Sequence, residues 1–162
     1  MQDPICSSSS STSNRADRWS PSTTSSKREA AMTTEMMTVD DAHAAEIRPL
    51  VQDYFDLVHT NDLAILDRIF DGNAHLYGRS EEGEVVLWPL ARYRQILAGR
   101  QSPQSLGALR EDRLLALDVA AATQAFAKVR VRIGQIVFLD YLTLVKLADG
   151  WKIASKTYHR LT

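Results

Sequence analysis

Three side chains have the chemistry to move a proton: Asp140, His159 and Tyr54. A carboxylate beside an imidazole in a dry cleft is the equipment of a general base, because desolvation raises the carboxylate pKa while a charged imidazole lowers it. A tyrosine hydroxyl nearby would donate to the oxygen of a developing enolate, where a preorganised donor contributes most. Such a set would abstract a proton next to a carbonyl and lead to isomerisation, cyclisation or elimination. His75, Tyr77, Trp88 and Tyr93 would form the aromatic mouth of a pocket for a planar ligand, with Phe138, Leu142 and Trp151 as its apolar lining. The plain structural readings compete: a hydrogen-bonded Asp140–His159 pair closing a sheet end, and aromatic residues packing a core and its rim.

What would bring Asp140 to His159 is a hairpin. Asp149-Gly150 is the strongest hairpin signal in the chain. With those two residues as the turn, Ala148 faces Trp151 and Asp140 faces His159, while Tyr141 and Tyr158 meet on the opposite face. A three-residue loop or a bulge would invert this inference. With Gly134-Gln135 as the preceding turn, Val131 faces Phe138 and Val129 faces Asp140. One face then collects Val129, Val131, Phe138, Leu142, Leu144, Trp151 and Ile153 and must lie inside. The other collects Lys128, Arg130, Tyr141, Thr143, Lys156 and Tyr158, a surface suited to solvent or to a sheet-to-sheet dimer contact.

The elements carrying these residues follow from periodicity. Ile47, Leu50, Val51, Tyr54, Phe55 and Val58 share one helical face, with Pro49 in the first turn or at a kink and His59 near the end, where an imidazolium favours the helix dipole. A second short helix follows, capped by Thr60 or Asn61, carrying Leu63, Leu66 and Ile69-Phe70, and closed by Asp71-Gly72. Ala74–Gly78 and Glu84–Trp88 read as strands, and Pro89 opens a third helix to about Ala98. Leu114–Val119, Ala122–Ile133, Ile136–Leu147 and Trp151–Leu161 form an antiparallel meander. The fold class is α+β: three helices packed in a curved antiparallel sheet, a cone-shaped barrel.

Composition narrows the rest. The 162 residues, 44% hydrophobic and 24% charged, suit one soluble domain. A formal net charge of -1 gives no electrostatic reason to expect nucleic acid. The single cysteine, Cys6, leaves residues 39–162 without a disulfide or thiolate cluster, which fits a cytoplasmic setting. No apolar run suggests a membrane span. His75, Asp140 and His159 have metal-ligand chemistry but no ligating spacing, so no metal and no cofactor are expected. Residues 1–38, rich in Ser and Thr, read as a disordered leader, an upstream mis-start ahead of Met32, Met36 or Met37, or a tag; 39–162 read as the domain.

Phe138–Lys146 and Asp149–His159, together with Tyr54, Leu66–Phe70, Ala74-His75-Leu76-Tyr77-Gly78, Tyr93 and Ala125–Val129, resemble the putative lumazine-binding family of the nuclear-transport-factor-2-like superfamily. The resemblance implies a conical pocket between helices and sheet that takes a small-molecule ligand, and a homodimer joined through the outer sheet face. That superfamily holds ketosteroid-isomerase-like enzymes, cyclases, dehydratases, epoxide hydrolases and non-catalytic modules. Tyr54 and Asp140 match the isomerases' tyrosine and pocket acid loosely, and Asp71 is the nearest counterpart of their catalytic acid. The expectation is a cofactor-independent enzyme of isomerase, cyclase or dehydratase type, with a ligand-binding or dimerisation module as its rival.

Overall fold

A computed structural model describes the backbone of residues 23–161 and the side chains of residues 41–161. The chain divides between Thr34 and Glu35 into two units, and the core and the candidate site lie in the second. The expected disordered leader falls partly outside the described residues; within them the first helix, α1, already starts at Thr23 and ends at Thr60. Ala30, Ala31, Met32, Glu35, Met36 and Met37 favour helix, which the Ser/Thr count obscures. Pro49 lies inside α1 rather than at its start. Pro49 and Ala45 are both exposed, so the carbonyl that loses a partner faces water.

Asn61 ends α1 in the left-handed conformation at φ 58°, its N–H bonding Leu57 O at 2.8 Å. The Arg100 guanidinium donates to the Asn61 side-chain oxygen and fixes this corner. Asp62, rather than Thr60 or Asn61, caps the second helix, α2 (Leu63–Ile69), accepting from Ala64 N at 2.8 Å. There is no break at Asp71-Gly72: strand β1 (Phe70–Arg79) begins at once. It is followed by β2 (Val85–Pro89), α3 (Leu90–Gly99), β3 (Asp112–Ala121), β4 (Gln124–Ile133), β5 (Ile136–Leu147) and β6 (Gly150–Leu161).

The six strands form one curved sheet in the order β2-β1-β6-β5-β4-β3. The meander is antiparallel as expected, but β1 runs parallel to β6, with His75 opposite Ser155 and Tyr77 opposite Thr157. No turn announces that pairing in the sequence. The buried face of α1, carrying Ile47, Leu50, Val51, Tyr54, Phe55, Leu57 and Val58, shares one core with Val129, Val131, Leu142, Leu144 and Ile153. At one end of the core, Glu46 accepts from Trp151 Nε1 at 3.0 Å and from Lys146 Nζ at 2.6 Å, tying α1 to the β5–β6 hairpin. No helix among the described residues is long and apolar enough to cross a membrane.

The Gly134-Gln135 turn and the pairs Val131–Phe138 and Val129–Asp140 stand as read. The β5–β6 register does not. Leu147 pairs with Gly150, so the turn is Ala148-Asp149, with Gly150 following at φ 118°. Leu144 then pairs with Ile153 but Thr143 with Ser155, leaving Ala154 as an extra residue on β6. This bulge reverses which residues of β6 face inward. Trp151 and Ile153 point in before it, and Lys156 is buried after it, while His159 is exposed.

Leu144, fully buried at the centre of the sheet, should lose about 2–5 kcal/mol of unfolding free energy on replacement by Ala. Leu109, exposed in the loop before β3, should change stability by less than about 0.5 kcal/mol under the same substitution. Urea unfolding of the two variants beside the parent checks the difference.

Candidate functional site

Inside the cone three polar side chains from three elements meet. Tyr54 Oη on α1 donates to Asp140 Oδ2 on β5 at 2.5 Å, Lys156 Nζ on β6 donates to Tyr54 Oη at 2.7 Å, and the same ammonium lies 3.1 Å from Asp140 Oδ2. Tyr54 and Asp140 are 0% exposed and Lys156 is 5% exposed. Each arrives by its element's own period. Tyr54 stands one turn after Leu50 and Val51 on the apolar face of α1, and Asp140 alternates with Leu142 and Leu144 on the inner face of β5. Lys156 is turned inward by the Ala154 bulge.

Stripping water from two charges costs several kcal/mol per ion, and only close pairing with further hydrogen bonds repays it. Lys156 has that pairing, and its ammonium also lies over the rings of Tyr54, Tyr93 and Tyr158 at 5.3, 5.4 and 5.8 Å from their centroids. Burial pulls its pKa down most strongly of any one cause, but the Asp140 charge, Tyr93 and the hydrogen bond to Asp140 together hold the amine above its ordinary value, so it is an ammonium at neutral pH. Burial, and then the neighbouring Asp140 charge, push the Tyr54 hydroxyl well above the usual tyrosine range, so it stays protonated and can donate. Asp140 Oδ1, by contrast, is buried without any hydrogen-bond partner. The group is thus a carboxylate with one oxygen held by two donors and one free.

An aromatic wall flanks this triad. The Tyr158 ring lies 5.9 Å from Trp88 and 6.3 Å from Phe138, with Gly78 beside it. A Cβ on Gly78 would sit 2.1 Å from a Tyr158 ring carbon, so the absence of a side chain there is what makes room for the ring. Burial also raises the Tyr158 pKa. Tyr93 packs against Phe70 with centroids 6.1 Å apart, and Leu142 is fully buried on the same face.

Of the residues expected to form the site, Asp140, Tyr54, Tyr93, Trp88, Phe138 and Leu142 therefore face inward. Trp151 also faces inward but pairs with Lys146, six residues and about 20 Å along β5 from Asp140, and its indole is engaged by Glu46. His159 does not meet Asp140: it lies opposite Leu139, exposed, because the bulge reverses the parity of β6. His75 and Tyr77 alternate with the buried Ala74, Leu76 and Gly78 and so lie on the outer face, away from Trp88 and Tyr93. His75 Nδ1 instead contacts Asn73 O at 2.7 Å. Asp71, on the irregular start of β1, accepts from Asn73 N at 2.9 Å.

Lys156 and Tyr158, assigned from the sequence to the outer surface, are the functional candidates the reading missed. A signal existed. Unbroken alternation past Ile153 would put Ser155, Thr157 and His159 inside, three polar residues in succession, whereas a shift by one at Ala154-Ser155 puts in the long stem of Lys156 and the ring of Tyr158.

Residues 42–159 match the family described as Putative lumazine-binding. The chain belongs to that family. No curated protein matches it. Among solved structures, this lumazine-binding family member is similar to a nuclear-transport-factor-2-like protein of unknown function from Silicibacter pomeroyi, with 23% identity and a TM-score of 0.67 over 75% of this chain and 98% of that one. A second such protein, from Shewanella baltica, gives 19% identity and 0.65 over 75% and 95%. A ketosteroid isomerase-like protein from Erwinia carotovora atroseptica gives 12% identity and 0.55 over 73% and 95%. The family member thus has the nuclear-transport-factor-2-like fold.

Replacing Lys156 by Met strands the Asp140 charge and should cost about 3–5 kcal/mol, most of it recovered when Asp140 is also replaced by Leu; denaturant unfolding of the single and double variants reads both. The pH dependence has a definite sign. The Lys156 and Tyr54 pKa values are raised on folding above their ordinary 10.5 and 10.0. The stability they contribute is therefore complete below about pH 10 and lost as pH rises through the folded-state values. Unfolding free energy should fall from pH 9 to 11 in the parent, and more shallowly in the variant combining Tyr54→Phe, Asp140→Leu and Lys156→Met.

Proposed function

We propose that the protein is a small-molecule pocket protein that works as a cofactor-independent isomerase, cyclase or dehydratase on a small, largely apolar carbonyl compound, with Asp140 as its base. The observation that supports this is Asp140 Oδ1, a buried carboxylate oxygen with no partner, on a group whose other oxygen is held by Tyr54 and Lys156. The free oxygen accepts the proton from the carbon next to the substrate carbonyl. The C–H electron pair moves into the carbon–carbon bond and displaces the carbonyl π pair onto oxygen. Lys156 has three N–H donors, two of them engaged by Tyr54 and Asp140, and the third donates to that developing oxyanion. The proton then returns to a different carbon, or the electron pair expels a leaving group one carbon further on.

Tyr54 and Lys156 thus orient the base and supply the acid, and His159 takes no part. Trp88, Phe138, Tyr158 and Leu142 supply the apolar walls that would hold such a substrate. The protein works in the cytoplasm as a homodimer through the outer sheet face, where Leu87 is 52% and Val85 78% exposed.

A non-catalytic binding or dimerisation module is the second reading, and the Asp140–Lys156 contact itself favours it, because the carboxylate that would act as base is already engaged by an ammonium. The test is a thermal-shift screen of the full chain against steroids, polyketide-like aromatics, flavin precursors and small keto acids. Asp140→Asn and the double variant Asp140→Asn with Lys156→Gln run in parallel, the second keeping the interior free of an unpaired charge. The enzyme reading expects a compound that raises the melting temperature of all folded forms but is converted only by the parent, with turnover down by about 10²–10⁴-fold in the variants. Stabilisation without conversion by the parent supports the binding reading, and no stabilisation by any compound would sink both.

A further inference from the structure

The β1–β6 ladder ends at Tyr77–Thr157, although β1 continues to Arg79 and β6 to Leu161. Where the two strands part, a cleft of about 570 Å³ opens, in the size range of small-ligand sites. It is lined by Tyr77 from the outer face and Tyr158 from the inner face of the sheet, and by the polar residues Arg79, Ser80, Glu81, Thr157, His159 and Arg160. Two guanidinium groups face one carboxylate there, a local positive excess in a chain whose net charge is -1.

The two arginines are not equally committed. Arg160 contacts Glu81 at 2.5 Å, a pair 52% and 80% exposed on its two sides and so weak in water. Arg79 donates from Nε to Gly83 O at 3.1 Å, which fixes the guanidinium plane over the β1–β2 turn. Its Nη groups have no acceptor among the described residues. A planar fork held at one corner and open along one edge is suited to receive a carboxylate or phosphate. Tyr77, two residues before it on the same face of β1, suits a flat ring.

We propose that the cleft binds a planar aromatic anion, its ring against Tyr77 and its acid group on Arg79, which share the outer face of β1, with His159 and Arg160 flanking it. This site is distinct from the Tyr54–Asp140–Lys156 triad, shares only Gly78 and Tyr158 with its surroundings, and stands whether or not Asp140 is catalytic.

The test titrates the full chain with 1-naphthoate, 1-naphthyl phosphate and the neutral 1-naphthalenemethanol, following amide shifts by NMR. At least one anion is expected to bind about tenfold or more tightly than the alcohol, a difference of about 1.4 kcal/mol, with the largest shifts along residues 77–83 and 157–160. Whichever anion binds more tightly identifies the preferred acid group. Arg79→Met, at an exposed position, should bring the anions down to the affinity of the alcohol, and Arg160→Met should weaken them less. Equal affinity for anion and alcohol, no loss in Arg79→Met, or shifts centred instead on residues 110–113 would overturn the proposal.

Discussion

A charge pair sealed inside an apolar cone is the constraint on which the rest of this structure depends. Asp140 and Lys156 are worth keeping in the interior only while each has the other, and Tyr54 ties both to α1. The arrangement spans helix and sheet, so the depth and rotation of α1 against β5 and β6 must satisfy hydrogen-bond geometry as well as packing. Apolar contacts tolerate small sliding, but a 2.5 Å hydroxyl–carboxylate contact does not. Lys156 on the wrong face of β6 would leave a bare carboxylate among Val129, Leu142 and Tyr54. The Ala154 bulge is therefore part of the electrostatics of the core and not a defect of the ladder.

Local signals in the sequence reached most of the fold. Three helices and six strands were legible from periodicity, and the Gly134-Gln135 turn with its alternating neighbours put Val129, Val131, Asp140, Leu142 and Leu144 on the inner face. Tyr54 was legible because helical spacing is robust to the placement of a single residue. His159 failed for the opposite reason. Strand period is two, so one extra residue exchanges the faces of everything beyond it, and a bulge leaves little trace in composition. The parallel β1–β6 pair escaped notice because its partners are about 80 residues apart and no turn links them. His75 and Tyr77 were correctly grouped with each other, but the face they share is the outer one.

Family membership and fold leave the chemistry open. Relatives at 12–23% identity share the backbone path, and that path carries unrelated reactions elsewhere. In this chain an ammonium is placed where it neutralises the only carboxylate buried among the described residues. The buried centre is thus polar yet nearly neutral, whereas the outer cleft carries exposed guanidinium groups.

The parallel seam between β1 and β6 bears on how the molecule assembles. Each meander hairpin closes through a short turn, at small entropic cost, and the four strands β3 to β6 are linked in that way. Joining Phe70 to Ile153 instead closes a loop that contains two strands, a helix and the meander itself. That seam is among the least local contacts in the domain, and non-local pairings are the ones for which chain entropy must be spent before any contact is gained. The strand whose ladder with β6 stops short of Arg79 is thus held on that side by a seam that is costly to close. Local opening there would expose the Tyr158 ring without requiring the meander to unfold.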